Sequence, residues 1–285
     1  MASAEVRREE LKAVFGEAQG CTRCPQLAQS RRTVVFGSGN ADADLMFIGE
    51  APGANEDAQG LPFVGQAGRL LEELLAEIGL RREDVFIANV LNCRPPGNRD
   101  PLPQEIANCQ DYTFRQLELI QPKVVATLGN FATKLLRGDA TGITRLHGRA
   151  EIRTIGPRTV RLLPLYHPAA ALYTRSLLDT LREDFARIPE LLALEAPAQP
   201  EPEEPPAPPP PAAAAEAPRV PDAPPPPDAP SPPSEQPELR GVRRRGRVGR
   251  RALRPEQWRF LRPYAEEGAI ASGDGLVKGR QRSPG

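Results

Sequence analysis

No stretch of the chain is apolar for long enough to cross a bilayer, and the N-terminus carries no apolar segment of the signal-peptide kind. A membrane or exported protein is therefore not expected. Cysteine is scarce, with only four in 285 residues. A reducing, cytoplasmic setting follows, and there four thiols point to metal ligation before disulfides. Net charge is missing too, since 37 basic side chains balance 37 acidic ones. One segment, 195–238, has almost no aromatic or β-branched residues, so the chain is not uniformly globular.

What is present is unevenly spread. Prolines number 34, more than twice average usage for this length, and 19 of them fall in 195–238. The zero net charge conceals three blocks: residues 1–194 carry 23 basic and 24 acidic side chains, 195–238 carry 1 and 9, and 239–285 carry 13 and 4. We expect a folded domain over 1–194, then a disordered, acidic, proline-rich spacer over 195–238 that is partly polyproline II. A basic, disordered tail over 239–285 follows. Its arginines suit DNA or another polyanionic partner.

Within 1–194 apolar strands alternate with amphipathic helices. Strands are read at 33–36, 45–48, 85–91 and 123–128, with a hairpin at 150–154 and 159–163 around Gly156-Pro157. Helices are read at 4–19, 69–78, 103–119, 131–136 and 177–194. The alternation predicts an α/β fold with a mostly parallel sheet and helices on both faces.

The chain turns on 44–68, DLMFIGEAPGANEDAQGLPFVGQAG. An apolar strand stops at Gly49, Pro52 and Gly53, the acids Glu50, Glu56 and Asp57 follow, and Phe63 sits between glycines. Loops at the carboxyl ends of strands in open α/β sheets are where ligands sit. Glu50, Asn89 and His167 each follow or end an apolar strand, so all three can meet at that edge. An amide such as Asn89 can donate to a carbonyl and accept from an N–H, and so read one edge of a base. His167 suits a donor to an oxygen that becomes negative as a bond breaks. In Pro168–Arg175, Leu172 or Tyr173 could wedge between bases and Arg175 could hold a phosphate, although an ordinary loop before a helix fits the same residues.

The cysteines form the other constellation. Cys21 and Cys24 have the two-residue spacing, and Cys93 and Cys109 lie well downstream. Four converging thiolates would suit a structural zinc or a [4Fe-4S] cluster, and four buried, unliganded thiols are the remaining reading.

With these residues in view, the chain resembles the family 4 uracil-DNA glycosylases, iron-sulfur members of the uracil-DNA glycosylase superfamily, over about residues 5–190. The resemblance is carried by Gly49-Glu50-Ala51-Pro52-Gly53 with Glu56-Asp57, by Pro62-Phe63-Val64-Gly65 with Ala67-Gly68, and by Asn89 before Cys93-Arg94-Pro95-Pro96. Thr127-Leu128-Gly129-Asn130, His167-Pro168-Ala169-Ala170 and the four cysteines complete it. It implies a four-stranded parallel sheet, a [4Fe-4S] cluster on Cys21, Cys24, Cys93 and Cys109, and removal of uracil from DNA; we expect a monomer acting on single- or double-stranded DNA. Glu50, Ala51 and Pro52 would line the uracil, Phe63 would stack on it, Asn89 would read its pairing edge, and His167 would face the oxygen that gains charge. The chain departs from better-known superfamily members at Ala51, where they carry a catalytic aspartate. That departure keeps open another class, a non-catalytic nucleic-acid-binding protein with zinc in the cysteine site.

Overall fold

The computed structural model describes residues 3–200. Most of the spacer expected at 195–238, and all of the tail expected at 239–285, lie outside the described residues. Six strands form one sheet: β1 (Ser38–Gly39), β2 (Leu45–Gly49), β3 (Phe86–Asn89), β4 (Val124–Leu128), β5 (Glu151–Ile155) and β6 (Arg158–Leu165). Their spatial order is β1-β3-β2-β4-β6-β5. The pairings β3–β2, β2–β4 and β4–β6 are parallel, while β1–β3 and β5–β6 are antiparallel.

This corrects the expected four-stranded, mostly parallel sheet to a mixed, six-stranded one. Two additions make the difference. The hairpin returns β5 onto the outside of β6 in the same sheet. At the other edge Ser38 and Gly39 turn back along β3, whereas the 33–36 strand forms no ladder and holds on through Val35 N–H donating to Asn92 O at 2.7 Å.

The inner strands read as unbroken apolar runs because both of their faces are covered. Met46 and Ile48 pack on one side with Leu11 and Val14 of the helix Ala4–Gln19 and with Ile106 and Leu117 of the helix Pro103–Ile120. Leu45 and Phe47 pack on the other with Leu71, Leu74 and Leu75 of the helix Gln66–Glu77 and with Phe185. There the rings of Phe47 and Phe185 stack, with centroids 5.8 Å apart.

The helix expected over 177–194 is two, Arg175–Phe185 and Ile188–Ala193. Pro189 has no N–H to return to the preceding turn, so the helix cannot run through. Just beyond, Gln199 uses its side chain as a strand would use its backbone. Its Oε1 accepts from Thr159 N–H at 3.1 Å and its Nε2 donates to Thr159 O at 2.9 Å, tying the chain to the start of β6. No helix among the described residues is long and apolar enough to cross a membrane.

The register places the functional candidates. Gly49 pairs with Asn89, so β2 and β3 end level. On the far side of β2, β4 and β6 end together at Leu128 and Leu165, and Gly129 N–H donates to Leu165 O at 2.9 Å before the chain reaches His167.

Candidate functional site

At these carboxyl ends lies a cleft of about 340 Å³, lined among others by Glu50, Ala51, Pro52, Phe63, Asn89 and His167. That volume suits a small organic ligand. Leu172, Tyr173 and Arg175 do not line it. They sit at the turn between the short helix Pro168–Ala171 and the helix Arg175–Phe185, and all three are exposed, Tyr173 at 86%.

The floor is built by close approach. A side chain at Gly49 would put its Cβ 2.5 Å from Asn89 Oδ1 and 2.9 Å from the Phe63 ring. Only a bare backbone lets the amide and the aromatic ring meet over the end of β2. Phe63 is buried, and its ring lies nearly parallel to that of His167, with centroids 5.5 Å apart and planes at 25°. Its φ of 52° lies in the left-handed region, which costs a bulky residue roughly 1–3 kcal/mol. Glu56 helps to hold the loop there, because Val64 N–H and Gly65 N–H both donate to its Oε1, at 3.1 and 3.2 Å.

Two polar groups in the cleft keep hydrogen-bonding capacity for a ligand, the Asn89 amide and one nitrogen of His167. Asn89 is 2% exposed, yet its amide makes no hydrogen bond within the described residues. A buried amide normally finds partners in the protein, so this one is free for a ligand. His167 Nδ1 accepts from Ala169 N–H at 3.0 Å, which puts the ring proton on Nε2. Burial lowers its pKa to about 4 against an opposing pull from Glu56, so the ring is a neutral donor at pH 7. Burial first, then the charge of Asp100, holds the Glu50 carboxyl above its ordinary range. A flat polar ring with donors and acceptors on its edge matches this set, and negative charge developing on that ring would meet the His167 N–H.

Other contributors have no strong local signal. Pro95, Asn98 and Arg99 form the facing wall, on a loop where Gly97 and Asn98 both have positive φ. Arg99 anchors that loop by pairing both of its terminal nitrogens with the Glu105 carboxylate, at 2.9 and 2.6 Å. The proline and glycine content marks 95–101 as a turn, but nothing in it shows which way the turn faces.

The cysteines overturn the expectation placed on them. All four line one cavity, but it measures about 20 Å³, room for roughly one water. Arg31 Nη1 donates to Cys93 Sγ at 3.1 Å, and Asn92 N–H donates to Cys109 Sγ at 3.3 Å. Burial raises the pKa of Cys24, Cys93 and Cys109, which favours thiols over thiolates. Among the described residues no group of three or more His, Cys, Asp or Glu could hold a metal ion. The expected [4Fe-4S] cluster, its zinc alternative and a metal-binding role are corrected accordingly: as folded, these residues do not fit the group.

Residues 36–191 match the model of the uracil DNA glycosylase superfamily. Over 194 residues the chain is 45% identical to the type-4 uracil-DNA glycosylase of Archaeoglobus fulgidus, covering 66% of this chain and 96% of that protein. It is 44% identical over 188 residues to the type-4 uracil-DNA glycosylase of Sulfurisphaera tokodaii, covering 64% and 85%. With that of Thermotoga maritima the identity is 46% over 171 residues, covering 59% and 87%.

Proposed function

Because the chain belongs to the uracil DNA glycosylase superfamily, and within it to the type-4 enzymes, we infer that it removes uracil from DNA in base excision repair by hydrolysing the N-glycosidic bond. The observation that carries the reading is the meeting, in one cleft, of an unspent Asn89 amide, the Nε2–H of a neutral His167 and the Phe63 ring.

The target nucleotide leaves the duplex stack, at a cost that is least where uracil is mispaired or already single-stranded. Phe63 stacks on the base and the Asn89 amide pairs with its edge, donating to a carbonyl and accepting from an N–H. As the bond to C1′ lengthens, the base takes the electron pair. His167 Nε2–H faces the oxygen that gains the charge, and a preorganised donor of this kind contributes roughly 10²–10³-fold in rate. Water adds to C1′ and gives up a proton. With alanine at position 51, Glu50 is the carboxyl left to orient that water or accept the proton, and its raised pKa makes it the better base.

Leu172 and Tyr173 fill the gap in the stack and Arg175 holds a phosphate, a role that suits their exposure beside the His167 turn. The enzyme acts as a monomer on single- or double-stranded DNA. Residues 1–194 are the catalytic domain, 195–238 a spacer, and the basic 239–285 adds contacts to DNA or another polyanion.

The decisive experiment is uracil release from labelled single- and double-stranded oligonucleotides. Wild type should release the base, while Asn89→Ala and His167→Ala should each lose about 10²-fold or more in kcat with folding retained. DNA binding without any release would instead identify a non-catalytic nucleic-acid-binding protein.

A further inference from the structure

Phe63 is held in a backbone conformation that its own sequence does not favour. Pro62-Phe63-Val64 contains no glycine to relax a φ of 52°, so the loop must be secured from outside. On one side, as described, Glu56 takes the N–H groups of Val64 and Gly65. On the other side the acceptors are backbone carbonyls, and a single residue takes two of them. Arg82 Nη1 donates to Phe63 O at 3.0 Å, and Arg82 Nη2 donates to Pro62 O. The guanidinium is itself aimed by two further contacts, Nη2 to Ser38 Oγ and Nη1 to Glu72 Oε1, both at 3.3 Å. Space is tight on the helix side as well: a Cβ at Gly68 would stand 1.8 Å from Phe63 O.

Arg82 does not line the cleft. It belongs to the turn Arg82–Asp84 that leads into β3, the strand that delivers Asn89. One short segment therefore supplies both the base-reading amide and the clamp on the stacking ring. We propose that Arg82 is a positioning residue for uracil recognition: its planar fork grips the carbonyls of Pro62 and Phe63 and keeps the Phe63 ring over Gly49 and beside His167, where it stacks on the base. A lysine could reach one carbonyl but cannot present two parallel donors to both. The inference rests on the uracil-release reading and assigns to that site a residue that touches neither substrate nor reacting atoms.

The test uses the full-length protein and a uracil-containing single-stranded oligonucleotide, with free uracil as an inhibitor that probes the base pocket alone. Arg82→Lys keeps the charge and most of the packed stem. It should lower kcat/KM by about 10- to 100-fold, the scale expected for a displaced contact, through KM more than kcat, and weaken inhibition by free uracil in parallel. The second readout is coupling. Phe63→Leu keeps a packed apolar side chain but has no stacking face, and adding Arg82→Lys to it should cost little more, since both changes remove the same interaction. Losses that multiply in the double variant would overturn the proposal, as would an Arg82→Lys enzyme with unchanged KM and unchanged inhibition by uracil. Should Arg82→Ala fail to fold, the lysine variant still decides. Wild type that releases no uracil would overturn the proposed function and this inference together, whereas active wild type with unaffected Arg82 variants would overturn the inference alone.

Discussion

At the residue scale His167 yields the clearest pH dependence. Its pKa falls from 6.5 in the unfolded chain to about 4 in the fold, so between those values the unfolded state binds the extra proton. The stability that neutral His167 carries is complete above pH 6.5 and is lost as pH falls towards 4, by about 3 kcal/mol in all. Urea unfolding of wild type should therefore weaken across that window more steeply than that of His167→Gln. By the same reasoning, an acid limb in kcat well above pH 4 would belong to another group, and Glu50 is the cleft carboxyl whose pKa is raised. The cleft-lining Glu50, Asn89 and His167 could be found from the sequence because each terminates an apolar run, and a parallel sheet brings such ends together. Arg82 could not, because its partners are the carbonyls of residues 62 and 63, which every residue type possesses. The cysteine spacing suggested metal ligation, and that expectation is the one the structure overturns. Spacing carries no information about donors such as Arg31 or about the size of the hole.

At the scale of elements, the inner strands were legible as continuous apolar runs, and the edges were not. A hairpin pattern such as 150–163 shows that two arms pair with each other but not which sheet they join. Ser38-Gly39 has no apolar signature at all, and its place is set by β3. A further device ties the pocket loop to the strap before it. Asp57 is 2% exposed, and its Oδ1 accepts from Arg32 N–H at 2.9 Å and Thr33 N–H at 3.3 Å, while Thr33 Oγ1 donates to Asp57 O at 2.7 Å. Asp57→Ala would strand two backbone donors in a partly buried setting. We expect a loss of about 2–3 kcal/mol in urea unfolding, with the strap 31–33 becoming the first amides to exchange with solvent.

At the scale of the whole molecule, the charge is segregated: 13 basic and 4 acidic side chains lie in 239–285. A protein ending at Pro200 should bind DNA more weakly and with a shallower dependence on salt, because each phosphate contact removed takes its released counterions with it. An unchanged slope would assign those arginines to another polyanion. The Gln199–Thr159 contact bears on that truncation. It holds the last described residues at the start of β6, and that strand then runs roughly 25 Å to the His167 end of the sheet. Ending the protein at Pro200 therefore keeps the tie intact and cuts at the end of β6 remote from the cleft, so a change in DNA binding reports the residues removed and not a loosened strand.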